Sequence, residues 1–218
     1  MRYEIVRAGE SRSFPAPHAF LEQSAADGEG LFYLGANAGE AYASGTGHAA
    51  RTFVAIELDT ECLGFHTGES RGLEGSNVVG FARFRLGDAD PSPLVELVRQ
   101  PATDPAAIEA AKAAFKASGL VVAVCNDFPG RIVDRLIRPY FNAALRRLDE
   151  KLASAADLDK TLCLGLGYPE GPISLLERTG LAQHHAVTQA LYEALGQEPY
   201  APARRARVAA ERAKAGTP

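Results

Sequence analysis

The sequence predicts a small mixed α/β unit over residues 1–127, followed by an all-helical unit over residues 128–218. Two observations carry this reading. Before residue 128, apolar residues come in short runs of β-branched and aromatic types separated by glycine and proline, the composition of strands and turns. After it they recur about every four residues, with arginines on the other faces, which is the period of an amphipathic helix.

The elements follow in order. Residues Arg2–Arg7 alternate and read as a strand; a polar stretch with Pro15 and Pro17 leads to a short helix around His18–Ala26. Gly28 and Gly30 punctuate the entry to the strand Leu31–Leu34, and glycine-rich segments follow at Gly35–Gly39 and Ser44–Ala50. Thr52–Leu58 has the strongest strand character of the first half, and Asn77–Arg85 and Leu94–Arg99 are further strands. Asp104 caps a helix whose first turn takes Pro105, where a missing N–H costs nothing, and Gly119 stops it. Leu120–Val124 is a compact strand closed by Asn126–Gly130. From Arg131 a long helix is expected, with Ile132, Leu136, Tyr140, Ala144, Leu148 and Leu152 as its stripe. Ser154 with Asp157 forms a capping pair for a helix ending near Gly165. Tyr168–Pro172 is a turn by composition, helices resume at Pro172–Arg178 and Leu181–Leu195, and an arginine-rich tail follows Pro202.

Composition bounds the partners. A chain of 218 residues with 46% hydrophobic and 23% charged residues can bury a core in one large or two small domains. A net charge of −4 argues against nucleic acid or an anionic membrane as partner. No apolar run approaches the ~20 residues needed to span a bilayer, and the N-terminus lacks a charged-then-apolar signal pattern. Cys62, Cys125 and Cys163 are scattered without a CxxC pair, the pattern of reduced, packed thiols in a cytoplasmic compartment.

Three stretches carry a resemblance. Asp127-Phe-Pro-Gly-Arg-Ile-Val-Asp-Arg-Leu136 is similar to the hinge of the 3-hydroxyacyl-CoA dehydrogenases, usually Asp-Thr-Pro-Gly-Phe-Ile-Val-Asn-Arg-Leu. Gly165-Leu-Gly-Tyr-Pro-Glu-Gly-Pro172 resembles that family's Gly-x-Gly-Tyr-Pro-x-Gly-Pro turn, preceded by Asp157 and Asp159 where members often carry an acidic pair. Pro93-Leu-Val-Glu-Leu-Val-Arg99 resembles the strand of the catalytic Glu, and Gly196–Tyr200 matches an aromatic-containing loop. The resemblance implies the family's helical substrate and dimerisation domain, behind a truncated, degenerate Rossmann-like α/β half. It also implies a C2 homodimer through the helices, which in the family form one wall of an acyl-CoA cleft.

In that family a His takes the hydroxyl proton, a Glu orients the His, and hydride passes to NAD; a base within hydrogen-bond reach of the alcohol is indispensable. The strand matching Gly-Met-His-Phe-Phe-Asn-Pro is here Gly80-Phe-Ala-Arg-Phe-Arg-Leu86, so the His position is Ala82, which accepts no proton. Glu96 stands at the Glu position without that partner. The substrate Ser falls near Asp59–Cys62, with Glu61 offering a carboxylate for a hydroxyl, and the hinge Asn is Asp134, an acceptor only. The dinucleotide fingerprint must follow a strand and open a helix. Gly45-Thr-Gly-His-Ala-Ala50 has the letters but leads directly into a strand, and Gly35–Gly39 follows a strand without the spacing. No cofactor is therefore expected; NAD enters only if the chain is an active dehydrogenase with relocated residues.

His66 is the best stand-in base, near Glu69 or paired with Glu96; as a metal pair, His66 and Glu69 lack a third ligand. His48 lies in a glycine-rich loop, and His184 and His185 read as packing and surface positions. Arg83 and Arg85 replace apolar and polar residues beside the expected active site and are candidate substrate contacts. The tail arginines read as a solvated helix face or as an anion site for the phosphates of CoA. Three functions stay open: an acyl-CoA-binding protein or partner of an active dehydrogenase subunit, an active enzyme, and a purely dimerising protein.

Overall fold

The computed structural model describes residues 2–69 and 76–216, which divide into two compact units. Residues Met1–Arg85 with Pro91–Ile132 form the first, and Leu86–Asp90 with Val133–Pro218 the second.

The first unit is built on a six-stranded sheet of β1 (Tyr3–Arg7), β2 (Gly30–Leu34), β3 (Phe53–Glu57), β4 (Val78–Arg83), β5 (Leu94–Arg99) and β6 (Val121–Asn126). β1 to β4 are parallel; β5 runs antiparallel to β4, and β6 is parallel to β5. Strand order in space equals strand order in sequence, so the sheet has no point where the order reverses. β2, β3 and β4 are buried on both faces, which explains why they read as apolar runs without alternation. One face carries an aromatic core: Phe32 packs against Phe20, Phe53 and Phe115 at 4.9, 5.0 and 5.2 Å between ring centroids. Phe20 comes from α1 (Ala19–Glu22) and Phe115 from α4 (Pro105–Ala117). The other face packs Tyr33, Ile56 and Val78 against α2 (Ala38–Ser44). The sheet advances from β1 through β2 to β3 while its connections cross opposite faces, so these two crossovers have opposite hands. Parallel crossovers are otherwise almost always right-handed.

The glycine-rich stretches conceal helices that the sequence did not announce. α2 occupies Ala38–Ser44, and α3 (Gly64–Thr67) begins where the Asp127 carboxylate accepts the N–H groups of Leu63 and Gly64 at 2.6 and 2.7 Å.

The second unit comprises α5 (Val133–Asp149), α6 (Ala155–Leu166), α7 (Pro172–Thr179), α8 (Leu181–Leu195) and α9 (Arg204–Lys214). Its core includes Phe141, Leu145, Ile173, Leu176 and Ala206, with Leu86 packed against it. Gly87 has φ +50, and the carbonyl of Thr179 occupies the space a Cβ would need, so this position requires glycine. α5 starts two residues later than expected because Arg131 sits at φ +51, outside helical space. The expected stripe is also not the buried face. Leu136 is 73% exposed, whereas Asp134, Arg138, Phe141, Asn142 and Leu145 are buried. Periodicity locates an apolar side but cannot say which neighbour covers it. α6 runs through Gly165 to Leu166 and stops at Gly167, which takes the left-handed conformation. Pro139 inside α5 removes the N–H that would bond the carbonyl of Arg135, and the Tyr200 hydroxyl donates to that carbonyl instead at 3.1 Å. Asp159 caps α7, accepting from the N–H groups of Ile173 and Ser174 at 2.8 and 2.9 Å and from the Ser174 hydroxyl at 2.6 Å. Among the described residues, no helix is long and apolar enough to cross a membrane.

Candidate functional site

β4 and β5 pair antiparallel in a register that sets Ala82 directly opposite Glu96. Directly opposed residues bring their Cβ atoms within ~4.5–5.5 Å. The two positions that the resemblance assigns to a base and its orienting carboxylate thus stand face to face, one of them reduced to a methyl group. Both are buried. Oε1 of Glu96 accepts the N–H of Ile132 at 2.7 Å, and Oε2 lies 4.0 Å from Nε of Arg131. Arg131 occupies the hinge position that is Phe in the resemblance, and its guanidinium donates to the carbonyls of Asp59 and Glu61. Sequence reading missed Arg131, although the signal was present: a cation at a motif position that is normally aromatic. Burial, and then the nearby charge of Glu96, push the Cys125 thiol up to about 11, so it is no thiolate nucleophile at neutral pH.

The ends of β2 and β3 border a cleft of about 690 Å³. Glu10, Glu40, Asp59 and Glu61 line it against Arg12 and His66. Arg12 is ion-paired with Asp59, and Nε2 of His66 lies 3.1 Å from Glu61. The carboxylate His66 meets is Glu61, rather than the Glu69 or Glu96 that sequence proximity and the resemblance put forward. Burial raises the Glu61 carboxyl pKa, but hydrogen bonds from His66 and the Asp59 N–H outweigh it and hold the group below its usual range. The excess of carboxylates makes this a poor environment for a pyrophosphate. Gly45 ends α2, and His48–Ala50 is a single 3₁₀ turn before β3, so no helix opens from that glycine pair.

The remaining sequence-predicted residues have local partners. Arg83 is buried over the ring of Phe14 and donates to the carbonyls of Ser13, Ser92 and Pro91 at 2.8, 2.8 and 3.2 Å. Arg85 is half-buried, and its carbonyl accepts from Arg12 at 3.2 Å. His48 stacks on Tyr42 and meets the Tyr33 hydroxyl at 2.9 Å. In the second unit, Asp134 accepts from Arg138 Nε at 2.7 Å, Arg138 Nη1 meets His184 Nδ1 at 3.0 Å, and His184 Nε2 meets Asn142 Oδ1 at 3.0 Å. An arginine only donates, so Nδ1 of His184 is the acceptor and Nε2 carries the proton. Burial, then the charge of Arg138, lower the His184 pKa to about 3 and keep it neutral. Of the tail arginines, Arg204 and Arg205 both bind Asp149, at 2.7 and 2.8 Å. No group of three or more metal-ligating side chains occurs among the described residues.

Residues 130–218 match the model of the 3-hydroxyacyl-CoA dehydrogenase C-terminal domain. The chain is 38% identical over 109 residues to a 3-hydroxybutyryl-CoA dehydrogenase of Bradyrhizobium diazoefficiens, covering 50% of this chain and 37% of that protein. It is 36% identical over 106 residues to the mitochondrial hydroxyacyl-coenzyme A dehydrogenase of Homo sapiens, covering 49% and 34%. The match thus spans little more than a third of each relative's length. Among solved structures, (S)-3-hydroxybutyryl-CoA dehydrogenase from Ralstonia eutropha aligns with a TM-score of 0.62 and 28% identity over 75% of this chain and 56% of that one. The 3-hydroxybutyryl-CoA dehydrogenase from Escherichia coli K12 aligns with a TM-score of 0.71 over 93% of this chain and 42% of that one; at 23% identity this is a likeness of fold. The hinge and the turn after α6 thus lie in or beside residues 130–218, the part of the chain that is similar to the helical C-terminal domain of the 3-hydroxyacyl-CoA dehydrogenase family.

Proposed function

We propose that this chain is a 3-hydroxyacyl-CoA dehydrogenase-related protein of fatty-acid (acyl-CoA) metabolism that binds acyl-CoA as a homodimer and transfers no hydride, a pseudoenzyme of a cytoplasmic compartment. The observation that carries the reading is Ala82 opposite Glu96, with Arg131 beside the carboxylate. A positioned general base is worth about 10²–10⁴ in rate, and neither a methyl group nor a permanently charged guanidinium supplies one. Two further features support it. Open α/β sheets bind dinucleotides where strand order reverses, and this order does not reverse. The cleft at the strand ends is lined by an excess of carboxylates.

The homodimer is supported by apolar side chains of the helical unit left in solvent: Leu136, Leu152, Leu164 and Leu166 are 73, 67, 79 and 62% exposed. Leu152 also lines an apolar pocket of about 390 Å³ together with Tyr140, Leu158 and Leu162. A two-fold axis would bury such a surface against its own copy. An active dehydrogenase subunit could occupy the same face. In the proposed role Asp134 belongs to the helical core, and Arg83 and Arg85 to the sheet, rather than to substrate.

Calorimetric titration with acetoacetyl-CoA, with and without NADH, tests the reading. Binding that ignores NADH, with no NADH oxidation, is the expected result. Turnover of NADH that disappears in His66→Ala would establish instead an NAD-dependent dehydrogenase with relocated residues. No binding at all would leave dimerisation as the function.

A further inference from the structure

The carboxylate of Glu57 is buried at the end of β3, 6% exposed, and its hydrogen-bond donors come from two distant segments. It accepts the N–H of Gly35 and of Ser13, each at 2.7 Å, and the hydroxyl of Ser11 at 3.0 Å. Two main-chain N–H groups and a hydroxyl thus converge on one anionic group, and hydrogen bonds to an ionised acceptor are the stronger kind. The other main-chain donors at the end of β2 are also engaged from within the chain. The N–H of Ala36 goes to the carbonyl of Glu10 at 3.0 Å, and that of Asn37 to the carbonyl of Ala8 at 2.9 Å.

Residues 10–14 lie over these strand ends as a strap. Arg12 ties it to Asp59, Arg83 donates from both its N–H and its guanidinium to Ser13, and the Phe14 N–H bonds the Ser11 hydroxyl at 2.9 Å. Gly35 holds φ +110 against the carbonyls of Ala8 and Gly9, an approach that a side chain would block.

We propose that Glu57 is a resident anion: its carboxylate occupies the point on which the donors of Gly35, Ser13 and Ser11 converge, and so keeps the strand ends closed to phosphate. The ligand class these donors would otherwise take is a single phosphate oxyanion. A tethered carboxylate competes at an effective concentration that a free anion does not reach. The inference is independent of the acyl-CoA reading, and its test uses neither acyl-CoA nor NADH.

The experiment is amide hydrogen exchange of Ser13 and Gly35, read by NMR at constant ionic strength, in the unmodified chain and in Glu57→Ala. In the unmodified chain both amides are slow and indifferent to inorganic phosphate. In Glu57→Ala they exchange at least tenfold faster, and inorganic phosphate, but not chloride, slows them again. Unchanged exchange in Glu57→Ala, no rescue by phosphate in a folded variant, or phosphate protection already present in the unmodified chain would each overturn the proposal. Should Glu57→Ala fail to fold, Ser11→Ala removes one donor alone. It accelerates Ser13 while β3 amides stay protected, and an unaltered Ser13 rate sinks the idea.

Discussion

The side chains of Glu96 and Arg131 are each only 3% exposed, and a charge so buried is tolerated only beside its counter-charge. Glu96→Ala leaves the guanidinium of Arg131 without that carboxylate, and chemical denaturation is expected to show a loss of about 3–5 kcal/mol. The double change Glu96→Leu with Arg131→Met removes both charges, so it costs much less than Glu96→Ala alone; equal losses would show that the pair is not coupled. His184 offers a second residue-scale test. Its folded pKa of about 3 lies below the ordinary 6.5, so between these values the unfolded chain binds more protons. Stability contributed by neutral His184 is therefore full above about pH 6.5 and drains away as pH falls toward 3. Between pH 7 and pH 5 the drain is about 2 kcal/mol. In urea titrations at the two pH values, His184→Gln should lose less stability than the unmodified chain by about that amount.

Helices of the second unit begin and end where chemistry on distant residues permits it. Pro139 orphans the carbonyl of Arg135, and Tyr200, 65 residues away, satisfies it. Tyr200→Phe keeps the ring and removes only that donor, so a loss of about 1–3 kcal/mol is expected by thermal or urea unfolding. No loss would mean that water replaces the hydroxyl. The caps of α4 and α6 were legible because an Asp before Pro105 and a Ser three residues before Asp157 act locally. The caps of α3 and α7 come from Asp127 and Asp159, far along the chain, and no local pattern reports such a partner. α2 escaped notice for a related reason: its glycine and alanines carry no stripe, and its place is set by packing beneath β2 and β3.

For the molecule as a whole, the exposed leucines of the helical unit argue for association. Leu164→Glu, at a position 79% exposed, should leave the fold intact while converting a dimer to a monomer in analytical ultracentrifugation. A monomer mass for the unmodified chain would remove the homodimer, and a dimer mass in both proteins would move the interface away from Leu164. By itself the sequence determined the fold class, the strands of the sheet and most helix starts. These follow from local composition, period and motif letters, which act over a few residues. Only the tertiary structure decided that Ala82 faces Glu96, that Arg131 stands beside that carboxylate, that His66 meets Glu61, and that Glu57 accepts from Gly35 and Ser13 at the strand ends. Each of those pairings joins residues brought together by strand register or by a loop crossing the sheet, and the free energy of a buried charge depends on such neighbours rather than on its own identity.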